Sequence, residues 1–256
     1  MSEPTIPAAT APPAAVEADY CDCGKVRALC ICGDEAPIDN RIALLVLQHP
    51  QEQDKDLGTA RLAVKHLANA VFKIGLSWAS LEKALGQPAD PKDWAILHLG
   101  SVQADAFPPG RDMLVLDKAG APLTDQNAAL SGIKGIVVFD GTWSQAKTLW
   151  WRNAWVLKGK RVVIRPPEAS LYGNLRREPR REGLSTIEAA GFVLARLEGR
   201  PEIETGLKGL FARMLARYRE VNPKGPPRAA KPDYRNKKRF ARRGKPGSAP
   251  PRKPAG

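Results

Sequence analysis

The sequence predicts an α/β domain built around a mainly parallel sheet. The first observation is a set of short apolar runs, each with the length and composition of a buried strand: residues 42–47, 94–99, 113–116, 136–139 and 161–164. Helical patterns lie between and after these runs, and strands that alternate with helices are typical of a parallel sheet. The length of 256 residues allows one domain of about 200 residues with a well-buried core.

Charge and composition set the limits of this domain. Residues 222–256 carry twelve Lys and Arg against one Asp in a Pro- and Gly-rich stretch, so most of the net charge of +13 lies there. We predict that they form a disordered basic tail, which either binds nucleic acid through phosphates or serves solubility. Residues 1–19 form an acidic, Ala- and Pro-rich leader, which we also predict to be disordered. The folded domain is therefore expected to span residues 20–221.

The domain begins with a cysteine cluster in the pattern C-x-C-x6-C-x-C. In a reducing compartment such a cluster is more typical of a metal site than of disulfides. Four thiolates suit a structural zinc ion, so we predict a zinc-binding segment over residues 20–33, with free thiols or a redox role as the alternatives. The predicted ligands are Cys21, Cys23, Cys30 and Cys32.

No segment of the sequence predicts export or membrane insertion. The first residues lack the basic and apolar regions of a secretory signal. No apolar run approaches the roughly 20 residues that span a bilayer. We therefore expect a cytoplasmic protein without membrane contact.

Helices are predicted from apolar periodicity. Steps of three and four residues from Leu57 to Ile74 predict one long helix, and similar patterns predict helices over residues 186–197 and 203–218. A further helix is expected from Trp143. Because large aromatic side chains dominate core burial, at least three of its four tryptophans are expected to be core or packing residues, with Trp143 near a ligand; the others are Trp150, Trp151 and Trp155.

The most informative stretch is residues 135–154, where the strand over residues 136–139 passes into a helix. Asp140 and Gly141 mark the turn, and Thr142 with Gln145 forms a capping-box pattern at the helix start. Open α/β sheets bind ligands at such carboxyl ends of strands, and backbone N–H groups at a helix start can hold an anionic group. We therefore expect the site here.

Residues 140–143 also match the Asp-x-Thr-Trp signature of the DTW-domain family. The Cys cluster precedes this signature, and the Ser185-Thr186-x-Glu188 helix start follows it, in the family's order. The family's first cysteine pair is typically C-x2-C, whereas here it is C-x-C and Tyr20 stands at the first position. The chain thus resembles the S-adenosylmethionine-dependent aminocarboxypropyltransferases that modify uridines in tRNA. The resemblance implies a SPOUT-like fold with a trefoil knot.

The resemblance also implies roles for particular residues. Asp140 would accept the proton from N3 of the uridine or orient that imide. Residues expected near S-adenosylmethionine are Thr59, Gly100, Ser101, Thr142, Trp143, Ser185, Thr186 and Glu188. Contacts to tRNA are expected from Arg61 and from an arginine-rich loop whose guanidinium groups suit phosphates: Arg176, Arg177, Arg180 and Arg181.

Purely structural interpretations remain open for most of these residues. Asp140 can brace its turn, and Ser185 with Glu188 forms a complete capping box. Thr59 and Ser101 can be ordinary helix-start and turn residues, and the arginines a solvated, salt-bridged surface.

Two other function classes stay open beside the transferase. They are a SPOUT-like RNA methyltransferase and a non-catalytic zinc- and RNA-binding protein. No protein partner is implied.

Overall fold

A six-stranded sheet runs through the residues that the computed structural model describes, which are 20–33, 36–53, 55–97, 106–173, 175 and 183–223. The strand order is β2-β1-β5-β3-β6-β4. All neighbouring strands are parallel except β4 and β6, so the prediction of a mainly parallel sheet is confirmed. The strands are β1 (Ala43–Gln48), β2 (Ala70–Ile74), β3 (Trp94–Leu97), β4 (Met113–Leu116), β5 (Gly135–Asp140) and β6 (Lys160–Ile164).

Helices cover both faces of this sheet. They are α1 (Ala60–Lys65), α2 (Leu81–Leu85), α3 (Gln126–Leu130), α4 (Trp143–Arg152), α5 (Thr186–Glu198) and α6 (Pro201–Val221). One core cluster joins the sheet to α1, α5 and α6, and a second joins it to α2 and α4. In β5, Ile136 and Val138 belong to the first cluster, whereas Val137 and Phe139 belong to the second. This two-sided burial explains why the strand is continuously apolar.

Five strands and three helices were predicted at almost their observed positions, and the helix expected from Trp143 is α4. The runs at residues 42–47, 94–99, 113–116, 136–139 and 161–164 correspond to β1, β3, β4, β5 and β6, although residues 98–99 lie outside the described part of the chain. The helices predicted over residues 186–197 and 203–218 correspond to α5 and α6.

The long helix predicted from Leu57 to Ile74 is wrong. Helix α1 ends at Lys65, and β2 begins at Ala70 and pairs in parallel with β1. The amide side chain of Asn40 explains the break, because its Nδ2 donates to the Asn69 carbonyl and its Oδ1 accepts from the Asn69 N–H. These bonds hold the backbone of residue 69 at the bend that precedes β2, so α1 does not continue through it.

The expectation that at least three of the four tryptophans are core or packing residues is also wrong. Trp150 and Trp155 are buried, but Trp143 is 45% exposed and Trp151 is 68% exposed. Helix α4 presents only one face to the sheet, through Ala146, Leu149 and Trp150. The other two tryptophans therefore face solvent.

The N-terminal cysteine segment packs against the described part of the domain. The Arg217 guanidinium of α6 donates to the Ala28 carbonyl, and the buried Lys25 ammonium donates to the carbonyls of Lys55 and Asp56 at 2.7 and 2.5 Å. Among the described residues, no helix is both long enough and apolar enough to cross a membrane. The described residues belong to one compact unit that ends at Pro223. The predicted leader and nearly all of the predicted tail lie outside them.

Candidate functional site

The site is centred on two polar side chains at the carboxyl ends of neighbouring strands. Gln48 ends β1 and Asp140 ends β5, and the two residues are direct partners in the parallel register. The Gln48 Nε2 donates to Asp140 Oδ2 at 2.7 Å. Both residues are buried. Their pairing places a carboxylate at the edge of the sheet where α/β folds bind ligands.

Helix α5 supplies a second donor to the same carboxylate. The hydroxyl of Thr186, the first residue of α5, donates to Asp140 Oδ1. Asp140 is thus fixed from two sides, one oxygen by β1 and the other by α5. A carboxylate oxygen can accept more than one hydrogen bond, so each oxygen keeps capacity to accept a proton donor from a ligand.

Gln48 was not predicted as a site residue. Its Oε1 is buried and has no hydrogen-bond partner among the described residues. The carboxylate of Asp140 can only accept, which fixes the orientation of the amide with Nε2 toward it. A buried acceptor without a partner is costly, and its cost is removed by a ligand that carries an N–H or O–H. The sequence signal that could have identified Gln48 is its position, since it is a polar residue at the end of a buried apolar run.

The turn after Asp140 has the predicted capping box. The Thr142 Oγ1 accepts from the Gln145 N–H at 3.4 Å, and the Gln145 Oε1 accepts from the Thr142 N–H at 2.6 Å. Gly141 is required by packing, because a Cβ there would lie 2.9 Å from the Gln145 Cβ. The half-exposed Trp143 begins α4 directly beside this turn.

The start of α5 carries the second capping box, and the carboxylate of its Glu188 accepts four hydrogen bonds. Glu188 is buried and accepts from the Ser185 N–H, the Ser185 and Ser170 hydroxyls, and the Leu171 N–H, at 2.6–2.9 Å. The buried Thr59 hydroxyl accepts from the Ile187 N–H at 3.3 Å. Thr59, Ser185 and Glu188 therefore brace the helix start that places Thr186 against Asp140.

Replacing Glu188 with glutamine tests this bracing. The amide keeps one acceptor oxygen but turns an NH₂ toward donors, so we expect a loss of about 1–3 kcal/mol in the free energy of unfolding. Thermal and denaturant unfolding measure it. The exposed Glu220→Gln on α6 is the matched control and should leave stability unchanged within about 0.5 kcal/mol. An equally stable Glu188→Gln protein would contradict the structural role.

Arg61 lies beside the cysteine segment. Its guanidinium stacks over the Phe72 ring at 5.0 Å, and its side chain packs so closely on Gly24 that a Cβ there would lie 2.7 Å from the Arg61 Cδ. Gly24 also has a φ of +75°, which favours glycine. Gly100, Ser101 and the four arginines at 176, 177, 180 and 181 lie outside the described residues.

The four cysteines form a cluster that could hold a metal ion. Their sulfur atoms all lie within 4.8 Å of one another, and Cys23 Sγ lies 3.9 Å from Cys30 Sγ. A tetrahedral zinc ion with bonds of about 2.3 Å separates its sulfur ligands by about 3.8 Å. The sulfur positions therefore fit zinc despite the short C-x-C spacing.

The thiols differ in their acidity. A hydrogen bond from the Cys23 backbone lowers the pKa of the Cys21 thiol to about 7, with a further contribution from the Lys65 ammonium. Burial raises the pKa of the Cys23 and Cys32 thiols. Because a metal binds the thiolate form, a bound cation would favour ionisation of the Cys23 and Cys32 thiols.

Comparison with known proteins adds a family assignment. A family model described as DTW domain matches residues 18–219. The chain is also similar to curated proteins named tRNA-uridine aminocarboxypropyltransferase 2. The protein from Macaca fascicularis is 28% identical over 196 residues, which cover 74% of this chain and 60% of the relative. The protein from Mus musculus is 26% identical over 181 residues, covering 69% and 55%.

A third relative, from Drosophila melanogaster, is 29% identical over 167 residues, covering 64% of this chain and 59% of the relative. The chain thus spans between half and two thirds of the length of the curated relatives it matches. No solved structure matches the chain.

Proposed function

Because the chain belongs to the DTW domain family, we propose that it is a tRNA-uridine aminocarboxypropyltransferase. The proposed reaction transfers the 3-amino-3-carboxypropyl group of S-adenosylmethionine to N3 of a uridine in tRNA. The observation that carries it is the buried Asp140, fixed by Gln48 and Thr186 at the strand ends, within the DTW signature itself. The names of the curated relatives supply the substrate class.

The residues around Asp140 fit the two proposed substrates. The Gln48 Oε1, which has no hydrogen-bond partner among the described residues, and the free acceptor capacity of Asp140 fit ligands that bring N–H donors. The ammonium of S-adenosylmethionine and the N3 imide of uridine both do so. When bound, S-adenosylmethionine would supply the electrophilic chain carbon, with 5′-methylthioadenosine as the leaving product.

Asp140 then has one chemical task, which is to take the proton that leaves uridine N3. The uridine nitrogen must lose this proton as it forms its new bond to carbon, and a carboxylate within hydrogen-bond reach can accept it. Gln48 and Thr186 hold the carboxylate in one orientation, so the base is positioned before substrate arrives. Thr142, Trp143 and the start of α5 would border the bound substrates.

The SPOUT relation and the trefoil knot belong to the same proposal. The support is the strand order, in which β5 lies between β1 and β3, and β6 lies between β3 and β4. The connections from β3 to β4 and from β5 to β6 therefore each pass over an intervening strand. Knots are rare, and an experimental structure traced through residues 98–105 and 174–182 tests for one. An unknotted trace would remove the SPOUT relation and leave the family assignment unchanged.

We also propose that tRNA phosphates are contacted by Arg61, by the arginines at 176, 177, 180 and 181 and by the basic tail.

The cysteine cluster is further proposed to hold a structural zinc ion. The Cys cluster would then fix the loop before α1, since Lys25 holds the carbonyls of Lys55 and Asp56. Tyr172 adds a bond from its hydroxyl to the Leu57 carbonyl at 2.6 Å.

Deleting residues 224–256 tests the tail. The deletion removes twelve basic residues and one acidic residue, so tRNA should bind roughly tenfold or more weakly at low salt, with a flatter dependence on salt. The melting temperature should not change, because the compact unit ends at Pro223. Binding is measured at several salt concentrations. Identical affinity and slope would assign the tail to solubility.

The experiment that tests the proposed function is incubation of purified protein with S-adenosylmethionine and unmodified tRNA, followed by mass spectrometry of the nucleosides. A carbon-chain adduct on uridine with release of 5′-methylthioadenosine supports the proposal. A methylated nucleoside with S-adenosylhomocysteine would indicate a methyltransferase. Binding of tRNA with no product and no affinity for S-adenosylmethionine would indicate a non-catalytic RNA-binding protein.

A further inference from the structure

Helix α4 carries two exposed tryptophans on its solvent side. Neither belongs to the core, and only one of them, Trp143, lies beside the turn that carries Asp140. Trp143, Lys147 and Trp151 follow one another at intervals of four residues, so they share one face of the helix. Trp143 is 45% exposed, Trp151 is 68% exposed and Lys147 is exposed. We call these three residues the α4 aromatic face.

A cation lies between the two rings along this face. The Lys147 ammonium lies 5.3 Å from the centre of the Trp143 ring, within the range of a cation–π contact. From Trp143 to Trp151 the helix rises about 12 Å, so the two rings can serve two different nucleotides of an extended strand. The face begins at the turn that carries Asp140 and leads away from it along α4.

The sequence that contains and follows this face carries charge of a single sign. Between Asp140 and Glu168 the sequence contains no acidic residue and six basic ones: Lys147, Arg152, Lys158, Lys160, Arg161 and Arg165. A single exposed apolar side chain needs no explanation. Two exposed indoles with a cation between them, in a stretch whose charged residues are all basic, match the combination that binds unpaired nucleic acid, in which bases stack on aromatic rings and cations attract the phosphates.

We propose that the α4 aromatic face binds unpaired nucleotides of the RNA substrate, with Trp151 stacking on a base beside the target uridine. This inference rests on the proposed function for its substrate class. A face that starts at Asp140 and holds the neighbouring bases would keep the target nucleotide out of its stack and next to the carboxylate. A protein partner or a second copy of the chain is the competing occupant, and a basic face is poorly suited to self-association because like charges repel.

The test compares Trp151→Leu with Trp151→Phe. Leucine keeps an apolar side chain without a π-face, whereas phenylalanine keeps a ring that can stack. Leu157→Ala is the matched control, because Leu157 is 43% exposed in the same basic stretch but has no ring. Affinity is measured by fluorescence anisotropy for a labelled tRNA transcript and a single-stranded oligouridylate, with a duplex RNA of equal length as the comparison.

Trp151→Leu should bind both unpaired-RNA probes about 5- to 100-fold more weakly than the wild type, as expected for loss of one stacked base. Trp151→Phe should recover most of this affinity, and Leu157→Ala should bind as the wild type does. Duplex RNA should bind equally to all four proteins. Melting temperatures should also agree, because Trp151 is mostly exposed.

Equal RNA affinity of Trp151→Leu and the wild type would overturn the inference. So would a wild-type dimer in sedimentation velocity that Trp151→Leu converts to monomer without loss of RNA binding. These outcomes are separate from failure of the proposed function, which is read from the nucleoside product of the wild type alone. RNA affinity that depends on Trp151 without any modified nucleoside would support the RNA face and refute the transferase.

Discussion

Replacing Asp140 with asparagine is expected to lower the transfer rate at least about a hundredfold, as for loss of a general base, while the protein stays folded. Asparagine can preserve the local hydrogen bonds: its Oδ1 accepts from Gln48 Nε2, and its Nδ2 donates to the Thr186 hydroxyl, which rotates to accept. The amide cannot take up a proton near neutral pH. Turnover should therefore fall much more than stability or affinity for S-adenosylmethionine.

Asp125→Asn is the matched control for this variant. Asp125 caps α3 through a bond from the Ala128 N–H, and asparagine caps helices as well as aspartate does. Nucleoside analysis, titration of S-adenosylmethionine and thermal unfolding are carried out on the same preparations. If Asp140 only braces its turn, turnover will fall no more than melting temperature and affinity do. Full activity in Asp140→Asn would refute its role as the base.

Loss of the metal is expected to have the second large effect. The purified protein should carry about one zinc ion per chain, and Cys30→Ser should carry almost none, because three thiolates and a hydroxyl bind zinc far more weakly than four thiolates. The free energy of unfolding of the variant should be lower by about 2 kcal/mol or more, since metal binding contributes directly to folding. The melting temperature should then fall by roughly 4–8 °C.

The structure also predicts where the Cys30→Ser protein loosens. Lys25 lies within the cysteine segment and holds the carbonyls of Lys55 and Asp56, just before Thr59 and α1. Hydrogen exchange should therefore accelerate in residues 21–32 and 55–60 but not in α6 beyond its contact with Ala28. Metal analysis and exchange mass spectrometry provide the two measurements. Wild-type protein that is well folded and free of zinc would contradict this prediction.

The core strands were predictable because several local signals agree. The run 136–139 is short, apolar throughout, rich in β-branched side chains and followed by a turn, which together favour a strand covered on both faces, and β5 is buried along its whole length. The capping boxes at Thr142 and Ser185 were equally clear, because they are local and involve residues three positions apart.

Features that depend on distant residues could not be predicted in the same way. Residues 70–74 continue the apolar spacing of α1, and only pairing with β1 and the Asn40 bonds to Asn69 make them a strand. The role of Gln48 depends on a partner 92 positions away. For the tryptophans, aromatic size predicts burial, but the sheet covers only one face of α4 and leaves Trp151 in solvent.

The most direct test of the proposed reaction follows the two ends of S-adenosylmethionine separately. One sample carries an isotopic label in the 3-amino-3-carboxypropyl chain and the other carries it in the methyl group, and each is incubated with the protein and unmodified tRNA. We predict that the modified uridine retains the chain label and that the methyl label leaves in 5′-methylthioadenosine. Methyl label in the nucleoside, or unmodified uridine with both labels still in S-adenosylmethionine, would contradict the proposal.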